Sequence, residues 1–104
     1  MIDLSQDQWA TQLVSNSNAV VIDVRAAEEV EEGIIPDALH LDIYKGQEFI
    51  SALEKLDKSL SYFVYCRSGV RSTQACSLMQ QLGFTATFNL VGGFMEWNGP
   101  IQMP

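Results

Sequence analysis

The sequence predicts an α/β domain in which an open parallel sheet lies at the centre and helices cover both of its faces. Strand-like and helix-like runs alternate along the chain, which is typical of βαβ units. The run at 19–24 is apolar and β-branched almost throughout, as expected of a strand buried on both sides. A second such run, at 62–65, leads directly into Cys66. Together these observations indicate a doubly covered parallel sheet.

The first predicted elements are a capped helix and a buried strand. Ser5 and Gln8 have the spacing of a capping box, and apolar residues then recur at helical intervals. We therefore expect a short helix at 6–14. A polar loop follows, and the strand at 19–24 comes after it.

The next segments predict two helices separated by a strand. Residues 25–32 are rich in helix formers and end at Gly33, a suitable residue for a helix C-terminus. The alternation at 39–43 predicts a half-buried strand. Residues 47–56 place their large apolar side chains on one helical face.

The last third of the chain contains the strand at 62–65, a short loop and a helix that ends at Gly83. Residues 85–90 predict another strand. Gly92 and Gly93 then open a short turn that carries the aromatic residues Phe94 and Trp97, which we interpret as core or rim aromatics.

Length and composition restrict the class of protein. The 104 residues suit one domain, so we expect residues 1–104 to form a single unit with one core. Apolar residues make up 47% and charged residues 18%, which excludes a disordered or collagen-like chain. No apolar run is long enough for a transmembrane helix, and the N-terminus does not resemble a secretory signal.

Charge and cysteine content exclude further classes. Thirteen acids and six bases give a net charge of −7, which argues against nucleic acid and anionic membranes as partners. Two cysteines and one histidine are too few for a disulfide scaffold or a zinc site. We expect a protein of the reducing cytoplasm. However, two of the three arginines lie within 66–72, and the stretch 59–83 contains no acid.

Cys66 is the candidate nucleophile for three reasons. It follows a predicted central strand, and open α/β sheets bind ligands at the carboxyl ends of their strands. A loop of small residues then leads into a helix, so that backbone N–H groups converge near the sulfur. Arg67 and Arg71 add positive charge. Each feature lowers the pKa of a thiol, and the thiolate is the reactive form.

The other polar residues are interpreted as structural. Cys76 falls in the middle of a helix, and we take it as a small core residue. His40 is expected to have a structural role in its strand. Asp23 and Arg25 end the first buried strand, and we expect Arg25 to form a salt bridge with Glu28 or Glu29.

Several motifs together resemble those of the rhodanese family of sulfurtransferases, and the resemblance covers most of the chain. It rests on Asp23-Val24-Arg25, on 33–38, on Cys66-Arg67-Ser68-Gly69-Val70-Arg71-Ser72, and on Leu90-Val91-Gly92-Gly93 with Trp97 and Pro100. Two positions depart from the family pattern. Ile34 replaces a histidine, and Asp37 replaces a glycine.

The resemblance implies a sulfur-transfer site. Cys66 would accept sulfur as a persulfide, and the backbone N–H groups from Arg67 through Ser72 (Arg67, Ser68, Gly69, Val70, Arg71 and Ser72) would surround the terminal sulfur. Arg67 and Arg71 would orient an anionic donor such as thiosulfate. A thiol, a protein or, in the assay, cyanide would accept the sulfur. The resemblance implies no metal and no organic cofactor. We expect Arg71→Ala to weaken the use of thiosulfate more than Arg67→Ala.

Alternatives from other classes remain. The chain could be a carrier that holds a persulfide without turnover, or an interaction module. A cysteine phosphatase or arsenate reductase would also use a loop from cysteine to arginine. However, only four residues separate Cys66 from Arg71 here, and phosphatase loops resemble Cys-x5-Arg. The absence of a Cys-x-x-Cys pair argues against a thiol redox protein.

Overall fold

The computed structural model describes residues 1–104 and contains a five-stranded sheet in which every pair of strands is parallel. The strands are β1 (Ile2–Leu4), β2 (Ala19–Asp23), β3 (Leu39–His40), β4 (Ser61–Tyr65) and β5 (Ala86–Leu90). The helices are α1 (Gln6–Ser15), α2 (Ala27–Val30), α3 (Gln47–Glu54) and α4 (Val70–Gln81), with 3₁₀ turns at Ile43–Lys45 and Phe94–Glu96. The strand order is β1-β5-β4-β2-β3, and the predicted fold class is confirmed.

Strand β4 lies at the centre of the sheet and contributes to a core on each face. Its side chains alternate, because successive residues of a strand point to opposite faces. Tyr62 and Val64 join the cluster that α3 and α4 cover, and Cys66 continues this face beyond the strand. Phe63 and Tyr65 join the cluster that α1 covers. Both faces of the sheet are therefore buried, as the continuous apolar strands predict.

Helix α1 packs through Trp9, which is fully buried. The Trp9 ring meets Phe63, Tyr65 and Trp97 edge-on, with centroids 5.7, 6.2 and 5.7 Å away. The predicted capping box starts this helix, and Ser5 and Gln8 bond each other's backbone N–H groups. The Trp97 ring is only partly buried, which agrees with a position at the rim of this core.

The structure contains one strand, β1, that the sequence pattern does not predict. The strand has only three residues, and only Leu4 among them is buried. This is too little apolar pattern to identify a strand. It pairs with β5, and Asp3 lies opposite Asn89. The N-terminal residues thus form one edge of the sheet, beside the end of β5.

Two predicted elements are shorter in the structure. The strand expected at 39–43 ends at His40, because the Asp42 carboxylate accepts a hydrogen bond from Tyr44 N–H and turns the chain into a 3₁₀ helix. The helix expected at 25–32 covers only Ala27–Val30. Arg25 is held outside it, because its backbone N–H donates to the Asp23 carboxylate.

The turn at Asp37 keeps a glycine-like backbone conformation without a glycine. Asp37 has a φ of +65° and is the only non-glycine residue with a positive φ. Its N–H donates to the side chain of Gln102 at 3.0 Å, and Ile34 pairs with the backbone of the same residue. The two departures from the family pattern are thus both tied to the C-terminal segment. None of the helices has the length and apolar content needed to cross a bilayer.

Candidate active site

Cys66 follows the last residue of β4, and its sulfur lies inside the turn that leads to α4. The Gly69 N–H donates to Sγ at 3.1 Å, and the Ser72 hydroxyl lies 3.4 Å from Sγ. The residue as a whole has no solvent-exposed area. The turn thus encloses the thiol, with polar groups from the loop and from the first turn of α4.

These contacts lower the pKa of the Cys66 thiol. Burial alone would raise it, because desolvation disfavours a thiolate. Hydrogen bonding with the Ser72 side chain, together with hydrogen bonds from the backbone of Ser72, Gly69 and Ser68, outweighs the burial. The thiolate is the nucleophilic form, so the predicted activation of Cys66 has a physical basis.

The outer side of the loop is held by the segment that follows β5. The N–H groups of Phe94 and Met95 donate to the carbonyls of Cys66 and Arg67 at 2.8 and 2.9 Å. Because these carbonyls face the segment that follows β5, the N–H groups on the other side of the loop can face the sulfur. Gly93 lies directly against the loop: a Cβ built on it would be 2.5 Å from the carbonyl carbon of Arg67 and 2.7 Å from the carbonyl oxygen of Cys66.

The two arginines of the loop have different surroundings. Arg71 forms a two-bonded ion pair with Glu29, at 2.7 and 2.8 Å, and its guanidinium lies 5.4 Å from the Tyr44 ring centre. The pair lowers the pKa of Glu29 to about 2, mainly through the hydrogen bond from Arg71. Arg67 is exposed and its side chain has neither a salt bridge nor a hydrogen bond. Ser68 and Val70 are also exposed.

The expected salt bridge between Arg25 and Glu28 or Glu29 is wrong. Arg25 pairs with Asp23, at 2.7 Å, and both side chains are almost fully buried. The Glu29 carboxylate faces Arg71 instead, and only the Glu29 backbone carbonyl accepts from Arg25. The spacing along the chain suggested a local partner for Glu29. The fold instead brings Arg71, 42 residues away, to the Glu29 carboxylate.

The Asp23–Arg25 pair is part of a buried network beneath the site. The Tyr65 hydroxyl donates to Asp23 at 2.6 Å and accepts from the Ile35 N–H at 3.0 Å. The Arg25 guanidinium also donates to the Gly33 carbonyl at 2.6 Å. The network joins the ends of β2 and β4 to the segment before β3. A structural role for Asp23 and Arg25 stays a prediction, which the following substitution tests.

We expect Asp23→Ala to destabilise the fold strongly. The substitution would leave the Arg25 guanidinium buried without a counter-charge, which typically costs about 3–5 kcal/mol. Urea unfolding measures the effect, with Asp7→Ala as the control, because Asp7 is an exposed acid in the first turn of α1. Equal midpoints for the two variants would show that the buried pair contributes little.

The remaining predicted residues lie outside the loop. The His40 ring Nε2–H donates to the Arg25 carbonyl at 2.7 Å, which holds the chain after β2 in agreement with a structural role. Cys76 is fully buried in α4. Burial raises the pKa of its thiol to about 12, which agrees with its interpretation as a core residue.

Three residues near the site were not assigned a contact with the loop from the sequence: Glu29, Asn89 and Gly93. Asn89 lies at the buried end of β5 and accepts from the Ser72 hydroxyl at 2.5 Å. A polar residue near the end of an apolar strand, beside the strand of the nucleophile, was the available signal. The contact of Gly93 depends on how a later segment packs, and no local pattern shows it.

Comparison with known proteins agrees with this architecture. The family model described as "Rhodanese-like domain" matches residues 6–100. Putative sulfurtransferase YtwF of Bacillus subtilis is 39% identical over 97 residues, which are 93% of this chain and 90% of the relative. Thiosulfate sulfurtransferase GlpE of Coxiella burnetii is 38% identical over 88 residues, covering 85% of this chain and 79% of the relative.

A more distant relative and a solved structure complete the comparison. Putative sulfur carrier protein YrkF of Bacillus subtilis is 28% identical over 96% of this chain and 52% of its own length. The crystal structure of a rhodanese-like domain protein from Staphylococcus aureus superimposes with a TM-score of 0.85, at 24% identity, covering 100% of this chain and 99% of the other. The chain therefore belongs to the rhodanese-like domain family.

Proposed function

We propose that the protein is a rhodanese-type sulfurtransferase that carries sulfur as a persulfide on Cys66. The observation that carries this proposal is the enclosed thiol, which hydrogen bonds from Gly69, Ser68 and Ser72 activate. Relatives named as sulfurtransferases, one of them for thiosulfate, support the same reaction class. We place the small anionic donor at the mouth of the loop, beside Arg67.

The proposed reaction has two displacement steps. The Cys66 thiolate attacks the outer sulfur of thiosulfate, the sulfur–sulfur bond of the donor breaks, and sulfite leaves with the electron pair. The terminal sulfur of the resulting persulfide carries negative charge, which the N–H groups of the loop stabilise. A cyanide ion or thiolate then attacks this sulfur, takes it as thiocyanate or a persulfide, and Cys66 leaves as a thiolate.

Intact mass measurement after incubation with thiosulfate tests the proposal. We expect the reduced protein to gain the mass of one sulfur atom and to lose it again when cyanide is added. A folded, reduced sample that gains no mass would exclude thiosulfate as the donor. Assays with phosphate esters and arsenate would then test the chemistry of the phosphatase and arsenate reductase alternatives.

A non-turnover sulfur carrier is a second candidate, because one relative is named a sulfur carrier protein. A carrier would load sulfur as readily but release it slowly to cyanide and small thiols. The ratio of the loading rate to the steady-state rate of thiocyanate formation separates the two. Similar rates support the transferase, and rapid loading with negligible turnover supports the carrier.

We expect Arg71→Ala to raise the KM for thiosulfate about tenfold. Arg67→Ala should cause a smaller rise. Arg71→Ala removes a cation and also leaves the Glu29 carboxylate without a partner, so that it repels an anionic donor. Glu29→Gln should have the opposite effect and lower the KM, because it frees the Arg71 charge while its amide oxygen can still accept from the Ala26 N–H.

Steady-state kinetics of single and double variants check this prediction. Adding Glu29→Gln to Arg71→Ala should reverse most of the rise in KM that Arg71→Ala causes alone. Glu28→Gln is the matched control, because Glu28 is the exposed neighbouring acid on the same short helix. If Glu29→Gln changes the KM no more than Glu28→Gln does, the ion pair has no influence on the donor.

A further inference from the structure

The Asn89 side chain lies between the Cys66 site and the edge strand β1. Asn89 and Ser72 are buried, with 3% and 0% of their surface exposed. The Asn89 Oδ1 lies 2.5 Å from the Ser72 hydroxyl. Its Nδ2 lies 3.0 Å from the Asp3 carboxylate and 3.1 Å from the Thr73 hydroxyl. The amide thus connects the residue beside the thiol to two groups outside the loop.

The chemistry of these partners settles which way the amide faces. An ionised carboxylate only accepts hydrogen bonds, so the Asn89 NH₂ group must face Asp3. The Thr73 hydroxyl donates its single proton to the Gly69 carbonyl at 2.7 Å, so toward Asn89 it too can only accept. The carbonyl oxygen of Asn89 therefore faces Ser72 and must receive a proton from it.

This direction determines what Ser72 can offer to Cys66. A serine hydroxyl has one proton, and here that proton goes to Asn89. Toward Sγ, at 3.4 Å, the hydroxyl can only accept, which suits a neutral thiol. When Cys66 ionises, its proton goes to solvent. Ser72 can then donate to the thiolate only by turning away from Asn89, which leaves a buried carbonyl oxygen without a donor.

We propose that Asn89, held by Asp3 and Thr73, is a positioning residue that withholds the Ser72 hydroxyl from the Cys66 thiolate. The Ser72 hydroxyl then stabilises the thiolate less than an unengaged hydroxyl would, and Asn89 limits how far ionisation of the thiol is favoured. Such a limit is useful because a thiolate loses nucleophilicity as its pKa falls. The proposal rests on the proposed function only in taking Cys66 as the nucleophile.

Charged and titratable groups from several elements surround the site, and the experiment must separate their effect on the thiol from that of the hydrogen bond. Positive charge favours the thiolate and negative charge disfavours it. Strand β5 contributes no charged side chain. The groups are Arg67 in the loop, Arg71 and Cys76 on α4, Glu29 on α2 as the partner of Arg71, and Asp3 on β1.

The test measures the thiol pKa of Cys66 from the pH dependence of iodoacetamide alkylation, followed on the Cys66 peptide by mass spectrometry. Asn89→Leu has a similar size and no polar atoms. We expect it to release the Ser72 hydroxyl and lower the thiol pKa by about one unit. Below the pKa this gives about threefold faster alkylation, because the thiolate fraction rises about tenfold while each thiolate is less nucleophilic. In a Ser72→Ala background the same substitution should cause no shift.

Two results would overturn the proposal. One is an unchanged or raised thiol pKa in Asn89→Leu, and the other is an equal fall in the Ser72→Ala background, which would indicate a packing effect. Alkylation requires no sulfur transfer, so failure of the proposed function would be seen separately in the mass measurement with thiosulfate.

Asp3→Ala provides a second variant if Asn89→Leu does not fold, because Asp3 is exposed on the edge strand. Without the carboxylate only the Thr73 hydroxyl still fixes the direction of the Asn89 amide, so the amide rotates more readily and its NH₂ group can then donate to Ser72. We expect a smaller fall in the thiol pKa that persists in about 1 M salt, where charge effects are screened. A fall that disappears in salt would identify the Asp3 charge alone and overturn the proposal.

Discussion

Cys66→Ser should abolish sulfur loading and turnover while leaving the fold intact. A serine oxygen in this position is not ionised at neutral pH and cannot hold a transferable sulfur. The smaller side chain would still have the Gly69 N–H and the Ser72 hydroxyl as hydrogen-bond partners. We therefore expect the free energy of unfolding to change by no more than about 1 kcal/mol. Intact mass with thiosulfate and a urea titration measure the two effects.

Cys76→Ala is the matched control, because it removes the other buried cysteine. Burial raises the pKa of the Cys76 thiol to about 12, so this cysteine stays protonated and unreactive. We expect this variant to load one sulfur at the rate of the parent and to lose some stability through the small cavity it creates. If sulfur loading persists in Cys66→Ser but is lost in Cys76→Ala, the nucleophile is Cys76 and the assignment to Cys66 is wrong.

The central strands of the fold could be predicted because their apolar pattern is local. Strands β2 and β4 are buried on both faces, so their sequences are nearly continuous apolar runs. Strand β1 has one buried residue, and β3 pairs with β2 over only two positions. No pattern within its own segment shows β1, whose existence depends on its pairing with β5. The alternation at 39–43 does predict β3, but not that the strand ends at His40.

The same distinction applies to the candidate site. The loop from Cys66 to Ser72 is contiguous, so its residue types and the following helix could be interpreted together. The contacts that set its chemistry come from afar: Glu29 on α2, Asn89 on β5 and the backbone after Gly93. Arg25 shows the converse, because it was assigned a neighbour on α2 and instead pairs with Asp23 at the end of β2.

Gly93→Ala should damage both the stability and the activity of the protein. The Gly93 backbone has a φ of +61°, and a Cβ there would lie 2.7 Å from the Cys66 carbonyl oxygen. The methyl group must therefore push the loop away from the Phe94 and Met95 N–H groups that hold it. We expect a loss of about 3 kcal/mol from backbone strain and overpacking together. A shift of the loop by about 1 Å should slow persulfide formation by about 100-fold.

Gly46→Ala separates the contact with the loop from the cost of the backbone conformation. Gly46 has nearly the same φ, +58°, and a Cβ there would meet no atom within 4 Å. It should lose only the strain of a positive-φ backbone, about 1–3 kcal/mol, and keep the parent rate of sulfur loading. The rate of sulfur loading, measured on the folded fraction of each variant, distinguishes the two effects. If the two variants load sulfur equally fast, the segment after β5 does not position the loop, and the orientation of the N–H groups around Cys66 must come from α4 alone.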